Sequence, residues 1–163
     1  MKESIAQSFI ISLILFFFGI LLLLLFGSIN YSKAYKAKNR IITIIEKHGG
    51  LNNQAMNEIN DSLIKGGYQT VLESDYTKSK CTDLKNKLGD EKVVKLVYPS
   101  EEYHGTGGRR HDFCIIQVQA GNSTEQRYYY QVVTFMQFNI PVIGGYLRFP
   151  VKGETKILFD TIK

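Results

Sequence analysis

The stretch from Phe9 to Phe26 constrains this chain more than any other, because its eighteen residues include Ser12 as their only polar side chain. As a helix rising 1.5 Å per residue it is about 27 Å long, close to the ~30 Å hydrocarbon core of a bilayer. No charged residue occurs from Ser4 to Ser32, so such a helix can tilt and keep its charged ends in water. A soluble fold of 163 residues offers little room for a helix that is apolar on every side. The stretch reads as a membrane anchor with one domain tethered behind it.

A cleaved secretory signal is the competing explanation. Such signals carry an apolar region of about 7–15 residues behind a cationic start. Here the run is longer, Lys2 is balanced by Glu3, and the small-x-small triplet Ser32-Lys33-Ala34 lies well past it. The expectation is an uncleaved signal anchor, a single-pass transmembrane helix over about residues 7–29 in the plasma membrane.

The helical pattern does not stop there. Tyr31, Ala34, Tyr35, Lys38, Ile41, Ile42 and Ile45 follow at three- and four-residue steps, which puts them on one stripe, with Lys33, Lys36, Arg40, Thr43 and Lys47 opposite. No Pro or Gly interrupts Ser28–His48, and Gly49-Gly50 supplies a stop. Residues 1–48 therefore read as one helix, in lipid for its first half and amphipathic over 30–48. Residues 49–163 read as the attached domain.

In that domain Leu51–Lys65 has a helical face of Leu51, Ala55, Met56, Ile59 and Leu63, capped by Asn52 or Asn53 and closed by Gly66-Gly67. Tyr68–Glu73 reads as a short strand and Ser74–Asp90 as a polar surface connection. The period then changes to that of strands: Lys92–Tyr98, Phe113–Ala120, Arg127–Asn139 and Tyr146–Phe159 are rich in Val, Ile, Tyr, Phe and Thr. Turn formers at Gly121-Asn122-Ser123 and at Pro141 with Gly144-Gly145 make the pairings antiparallel. In the longest strand the set Tyr128, Tyr130, Val132, Thr134, Met136 and Phe138 is expected to face the core, because the alternate set ends in Gln137 and Asn139. Pro150 and Gly153 predict a kink or an edge position. The fold class is α+β: a long N-terminal transmembrane and amphipathic helix packed on an antiparallel sheet of about four strands.

Net charge is +5, with a pI near 9.1, which suits attraction to anionic lipid or wall polymers. No run of five like charges forms a nucleic-acid arm, so nucleic acid is not an expected partner. Lys33, Lys36, Lys38 and Arg40 behind the span would, by the positive-inside rule, keep the domain in the cytoplasm. Two considerations favour the extracytoplasmic side. Large domains translocate largely regardless of flank charge. The chain's two cysteines, Cys81 and Cys114, both lie in the domain, as one extracytoplasmic disulfide requires.

Two free thiols, or a zinc site completed by His104 and His111, are the alternatives for those cysteines. The loop Gly105-Thr106-Gly107-Gly108-Arg109-Arg110 could cradle an anion, but lacks the Lys-Ser/Thr of a phosphate loop and reads as a solvated connection. Glu101-Glu102 beside His104 likewise reads as loop surface. No serine sits in a nucleophile elbow and no nucleophile–base pair is apparent, so no enzyme activity, cofactor, metal or small-molecule substrate is expected. Contact with partners is expected from Leu21, Leu23 and Leu25 on the span, from Tyr128, Tyr129 and Tyr130, and from Arg109 and Arg110. Adjacent strand tyrosines point to opposite faces, so at least one must face outward.

A helix apolar in its first half and amphipathic in its second, leading into an antiparallel sheet, resembles the pilins and pseudopilins. The tail Phe138–Glu154, with its aliphatic-Pro-x-x-Gly turn, and the Cys81/Cys114 pair are most similar to the TadE-like pseudopilins, anchored components of tight-adherence pilus machines. The resemblance implies a pilin-like fold and association with other pilin-like or assembly proteins through the N-terminal helix. It departs from the prepilin pattern at Glu3, the only acid near the span, which no Gly precedes. That departure points to a minor component instead of a major polymerised subunit. The expected function is a non-enzymatic, membrane-anchored structural part of a pilus- or secretion-type assembly. The alternative is an anchored binding or regulatory module of another cell-envelope system.

Overall fold

The computed structural model describes residues 2–72, 81, 86, 93–97, 109–120, 127–140 and 145–159. Helix α1 runs unbroken over Lys2–Lys47, and α2 over Asn53–Lys65. The strands are β1 (Thr70–Leu72), β2 (Val93–Val97), β3 (Arg109–His111), β4 (Phe113–Gln119), β5 (Arg127–Ile140), β6 (Gly145–Glu154) and β7 (Leu158–Phe159). The main sheet is antiparallel in the order β2-β4-β5-β6, with β7 pairing the start of β5. A small second ladder joins β1 to β3, so Arg109 and Arg110, expected in a loop, lie on a strand opposite Leu72 and Val71.

The second half of α1 lies across β5 and β6 and makes the larger core. Ala34, Ala37, Ile41, Ile44 and Ile45 are buried together with Ala55, Ile59 and Leu63 of α2 and with Phe113, Ile115, Tyr130, Val132 and Val151 of the sheet. The buried stripe is rotated from the expected one: Ala37 and Ile44 are in it, whereas Tyr31 and Tyr35 stay exposed and stack on each other with ring centroids 6.1 Å apart. The reason is close approach. The alanines let the helix backbone come near enough for the Thr134 hydroxyl to donate to the Ala34 carbonyl at 2.9 Å. Gly153 leaves room beneath the same stretch: a Cβ there would stand 2.7 Å from Lys38 Cδ and 2.8 Å from Ile42 Cδ1, and those side-chain ends would have to shift. Lys38 is buried along its stem and carries its ammonium 4.2 Å above the Tyr35 ring centroid, so its charge keeps a partner near the surface.

Helix α2 starts and stops where the sequence signals stand. The Asn52 side chain accepts from the Ala55 N–H at 2.7 Å, and Gly67, at φ 60°, turns the chain out of the helix. Gly49 (φ 65°) and Gly50 (φ 151°) make the corner between the helices.

The alternate face of β5 is not a wet face. Val133 is 0% and Phe135 2% exposed; with Cys81, Cys114, Ile116 and Val118 they form a second core. Cys81 and Cys114 are disulfide-bonded with Cα atoms 6.4 Å apart, so chain from the 73–92 connection is fixed onto this face of β4. A strand covered on both sides reads as a continuous apolar run, and Phe113-Cys114-Ile115-Ile116 is such a run, buried at every position.

The last predicted strand is also divided. At Thr155 the backbone N–H bonds the Tyr130 carbonyl (2.9 Å) while the hydroxyl accepts from the Tyr130 N–H (2.9 Å). The next N–H, that of Lys156, leaves the sheet for the Glu46 carboxylate of α1 at 2.8 Å. Pairing then resumes with β7. The β6 and β7 segments form the outer edge of the sheet, in keeping with Pro150 and Gly153.

Two stability predictions follow from this packing. Ile41→Ala in the α1 stripe should lower the free energy of unfolding by about 2–5 kcal/mol, measured by denaturant titration in mild detergent, whereas Phe16→Ala should leave it unchanged. Replacing both Cys81 and Cys114 by serine should cost roughly 3–4 kcal/mol on the loop-entropy account and shift the same titration to lower denaturant.

Candidate functional site

The chain's largest uncovered feature is the first half of α1. Within Gln7–Lys47 an 18-residue window has a mean hydropathy of 3.2, and none of it is buried by the rest of the fold. Leu21, Leu23 and Leu25 are all exposed, so the expected partner-facing leucines are free to meet lipid or another helix. One helix is thus long and apolar enough to cross a membrane.

The tyrosines are divided by the pleat. Tyr128 and Tyr130 face α1, with rings edge to face at 5.5 Å. The Tyr130 hydroxyl accepts from the Leu51 N–H at 3.2 Å, and both hydroxyls approach the Gly50 corner. These two clamp the junction of α1 and α2. Tyr129 lies on the other face, opposite Val118 at the margin of the second core, and is partly exposed. Burial, and then the Glu154 carboxylate, push its phenol above the usual tyrosine range.

Arg109 and Arg110 are placed by their backbones on β3, opposite Leu72 and Val71. Glu101, Glu102, His104 and Gly105–Gly108 lie outside the described residues, as do most of Ser74–Asp90 and the turns at 121–126 and 141–144. The disulfide takes both thiols that the zinc alternative needs.

Sequence reasoning missed a buried polar junction where β3 turns into β4. The Tyr68 hydroxyl donates to the Asp112 carbonyl (2.7 Å) and accepts from the Phe135 N–H (2.9 Å). The Asp112 carboxylate, 2% exposed, accepts from Gln137 Nε2 at 3.1 Å and lies 3.8 Å from Arg148 Nε on β6. His111, also buried, has its ring 6.1 Å from that of Tyr68. The junction joins the α2–β1 connection, β5 and β6 at Asp112, whose backbone carbonyl takes Tyr68 and whose carboxylate takes Gln137 and faces Arg148. Its one trace in the sequence is an acid placed between His111 and an apolar run, which by itself marks nothing.

A cleft of about 220 Å³ separates the facing sides of α1 and α2, lined by Lys33, Lys36, Arg40, Ser62, Gly66 and Tyr68. The Arg40 guanidinium donates to the Ser62 carbonyl at 3.2 Å, which places a cation at the C-terminal end of α2, where the helix dipole favours it. Near the middle of α2 the Glu58 carboxylate bonds Lys47 Nζ at 2.8 Å and His48 Nε2 at 2.7 Å. Those hydrogen bonds, first from Lys47 and then from His48, hold the carboxyl below its ordinary range. The charges around the cleft hold α2 against α1. They do not present a nucleophile beside a base.

The His111 environment fixes a pH dependence. Burial lowers its pKa, opposed in part by the backbone of Gln69 and Tyr68, so the folded state keeps the ring neutral. The unfolded chain takes up a proton near the ordinary histidine value of about 6.5. The unfolded state then binds more protons, and stability is lost as pH falls below that value. Thermal unfolding should be level from pH 8 to 7 and fall to lower temperature between about pH 6.5 and 5. In His111→Gln this part of the slope should be absent.

Compared with known proteins, the chain matches no family model, no curated protein and no solved structure.

Proposed function

We propose that this chain is a single-pass, membrane-anchored structural component of a pilus- or secretion-type assembly, similar in role to a TadE-like minor pseudopilin. One observation carries the reading: α1 is a single helix whose N-terminal half is apolar and uncovered while its C-terminal half is the lid of the sheet domain. A plain tether would need only a span and a linker. Here any tilt or rotation imposed on the span by neighbouring helices passes rigidly into the domain, which suits a part that must be oriented within an assembly. Neighbouring helices would pack on the Leu21–Leu25 run, and the disulfide domain would lie on the extracytoplasmic side making protein contacts. The role is non-enzymatic in this reading, with membrane lipid and other assembly proteins as partners.

Leu23→Lys tests it. A lysine within a span costs up to about 2.5–3.5 kcal/mol in insertion experiments, the full amount at its centre, so recovery of partner proteins by crosslinking in membranes should be lost. In the same full-length variant the disulfide should still form, and unfolding of the sheet domain in detergent should be unchanged. Undiminished assembly of Leu23→Lys overturns the reading. Recovery of envelope proteins outside any pilus or secretion machinery would favour the anchored binding module instead. A cysteine placed at exposed Ile157 should react with a membrane-impermeant maleimide in intact spheroplasts; protection until lysis would put the domain on the cytoplasmic side.

A further inference from the structure

Contacts between α1 and the sheet occur in a fixed order. Leu51 meets Tyr130, Lys38 and Ile42 meet Gly153 opposite Val132, and Ala34 meets Thr134. Moving toward the C-terminal end of β5 is therefore moving toward the apolar half of α1. Beyond Thr134 the β5–β6 hairpin continues in that direction, with Met136 opposite Phe149 and Phe138 opposite Leu147.

Leu147 and Phe149 alternate with Arg148 and share the face of Val151, which is buried under α1. Yet they are 45% and 48% exposed. From Thr134 to Phe138 is about 14 Å of strand at ~3.4 Å per residue. Counted from Thr134, which bonds Ala34, Phe149 and Leu147 lie opposite strand positions two and four residues further on, so they come level with residues of α1 that precede Ala34, toward Tyr31 and Ile29, where the uncharged segment ends. Ile29 and Tyr31 are themselves exposed. Scattered exposed apolar residues need no explanation, but these four lie at one level, beside the span.

We propose that Leu147 and Phe149 insert into the headgroup–acyl boundary of the leaflet next to the domain, giving it a second attachment to the bilayer. The proposal rests on reading α1 as a bilayer span, and the occupant it commits to is lipid. Two apolar side chains at an interface, held on strands that pack against the second half of α1, restrict the domain's tilt about the membrane normal. The basic side chains Lys33 and Lys36, on the same stretch of α1, lie just outside that level, where anionic headgroups attract them.

The chain has no tryptophan, so single insertions report cleanly. Full-length Phe149→Trp, Leu147→Trp, Phe159→Trp and Leu23→Trp proteins would be reconstituted in phosphatidylcholine vesicles containing lipid brominated either near the glycerol or near the chain end. Phe159 is exposed at the opposite end of the sheet, opposite Arg127, and serves as the aqueous reference. The expected result is strong loss of emission at 147 and 149 with the shallow label, loss at 23 with the deep label, and none at 159. Quenching at 23 without quenching at 147 or 149 overturns the second attachment and leaves the anchor intact. Absence of quenching at 23 overturns both. Blue-shifted emission at 149 that bromolipid does not quench assigns the surface to a protein contact, and also overturns the proposal.

Discussion

Everything in this molecule depends on the close seating of the second half of α1 on β5 and β6. Two alanines, a glycine and a threonine make it possible: Ala34 and Ala37 on the helix, Gly153 and Thr134 on the sheet. Small residues bring two backbones together, and the short distance lets the Thr134 hydroxyl satisfy itself on a helix carbonyl while Ile41 and Ile45 fill the space alongside. Residues 49–163 do not make the larger core by themselves, because Ala34 to Ile45 belong to it. The packing unit begins inside the helix. The boundary between the two halves is a change in what surrounds one continuous element, from uncovered to sheet-facing.

That arrangement explains how a small domain supports a sheet buried on both faces. A domain of this size buries a modest fraction of its surface, and added constraints matter. One face of the sheet is covered by α1 and α2. The other carries a second core closed by the Cys81–Cys114 bond, which holds Cys81 against β4. Between the two faces, the Tyr68–Asp112–Gln137 junction satisfies polar groups where the chain passes from α2 into the sheet. Leaving any of those buried groups unpaired would cost more than the bonds themselves contribute.

Local signals read well from the residues. The extent of α1, the Asn52 cap, the Gly66-Gly67 stop, the positions of β2, β4 and β5 and the edge character of the last strand each follow from side-chain period, capping chemistry or the missing donor of proline. Two expectations required contacts between distant segments and therefore went astray. The tyrosines at 31 and 35 were placed on the buried stripe by spacing, but the helix rotates to seat its alanines. Gln137 and Asn139 at the end of the alternate face of β5 suggest exposure, whereas Val133 and Phe135 on that face are buried and Gln137 bonds the Asp112 carboxylate.

Of the candidate site, the sequence by itself determined the apolar span and its direct continuation into an amphipathic helix, because both are properties of one-dimensional spacing and composition. It also confined both cysteines to the domain. Only the tertiary structure decided that Tyr128 and Tyr130 are spent on the Gly50 corner, that β6 gives way to β7 where Lys156 turns to Glu46, and that Leu147 and Phe149 extend toward the lipid half of α1. Each of those depends on which residues meet across 80 to 110 positions of chain, and no local period carries that information. The apolar stretch from Phe9 to Phe26 was legible because its length and composition belong to a single segment. The surface beside it was not, since its place is set by the register of a hairpin against a helix.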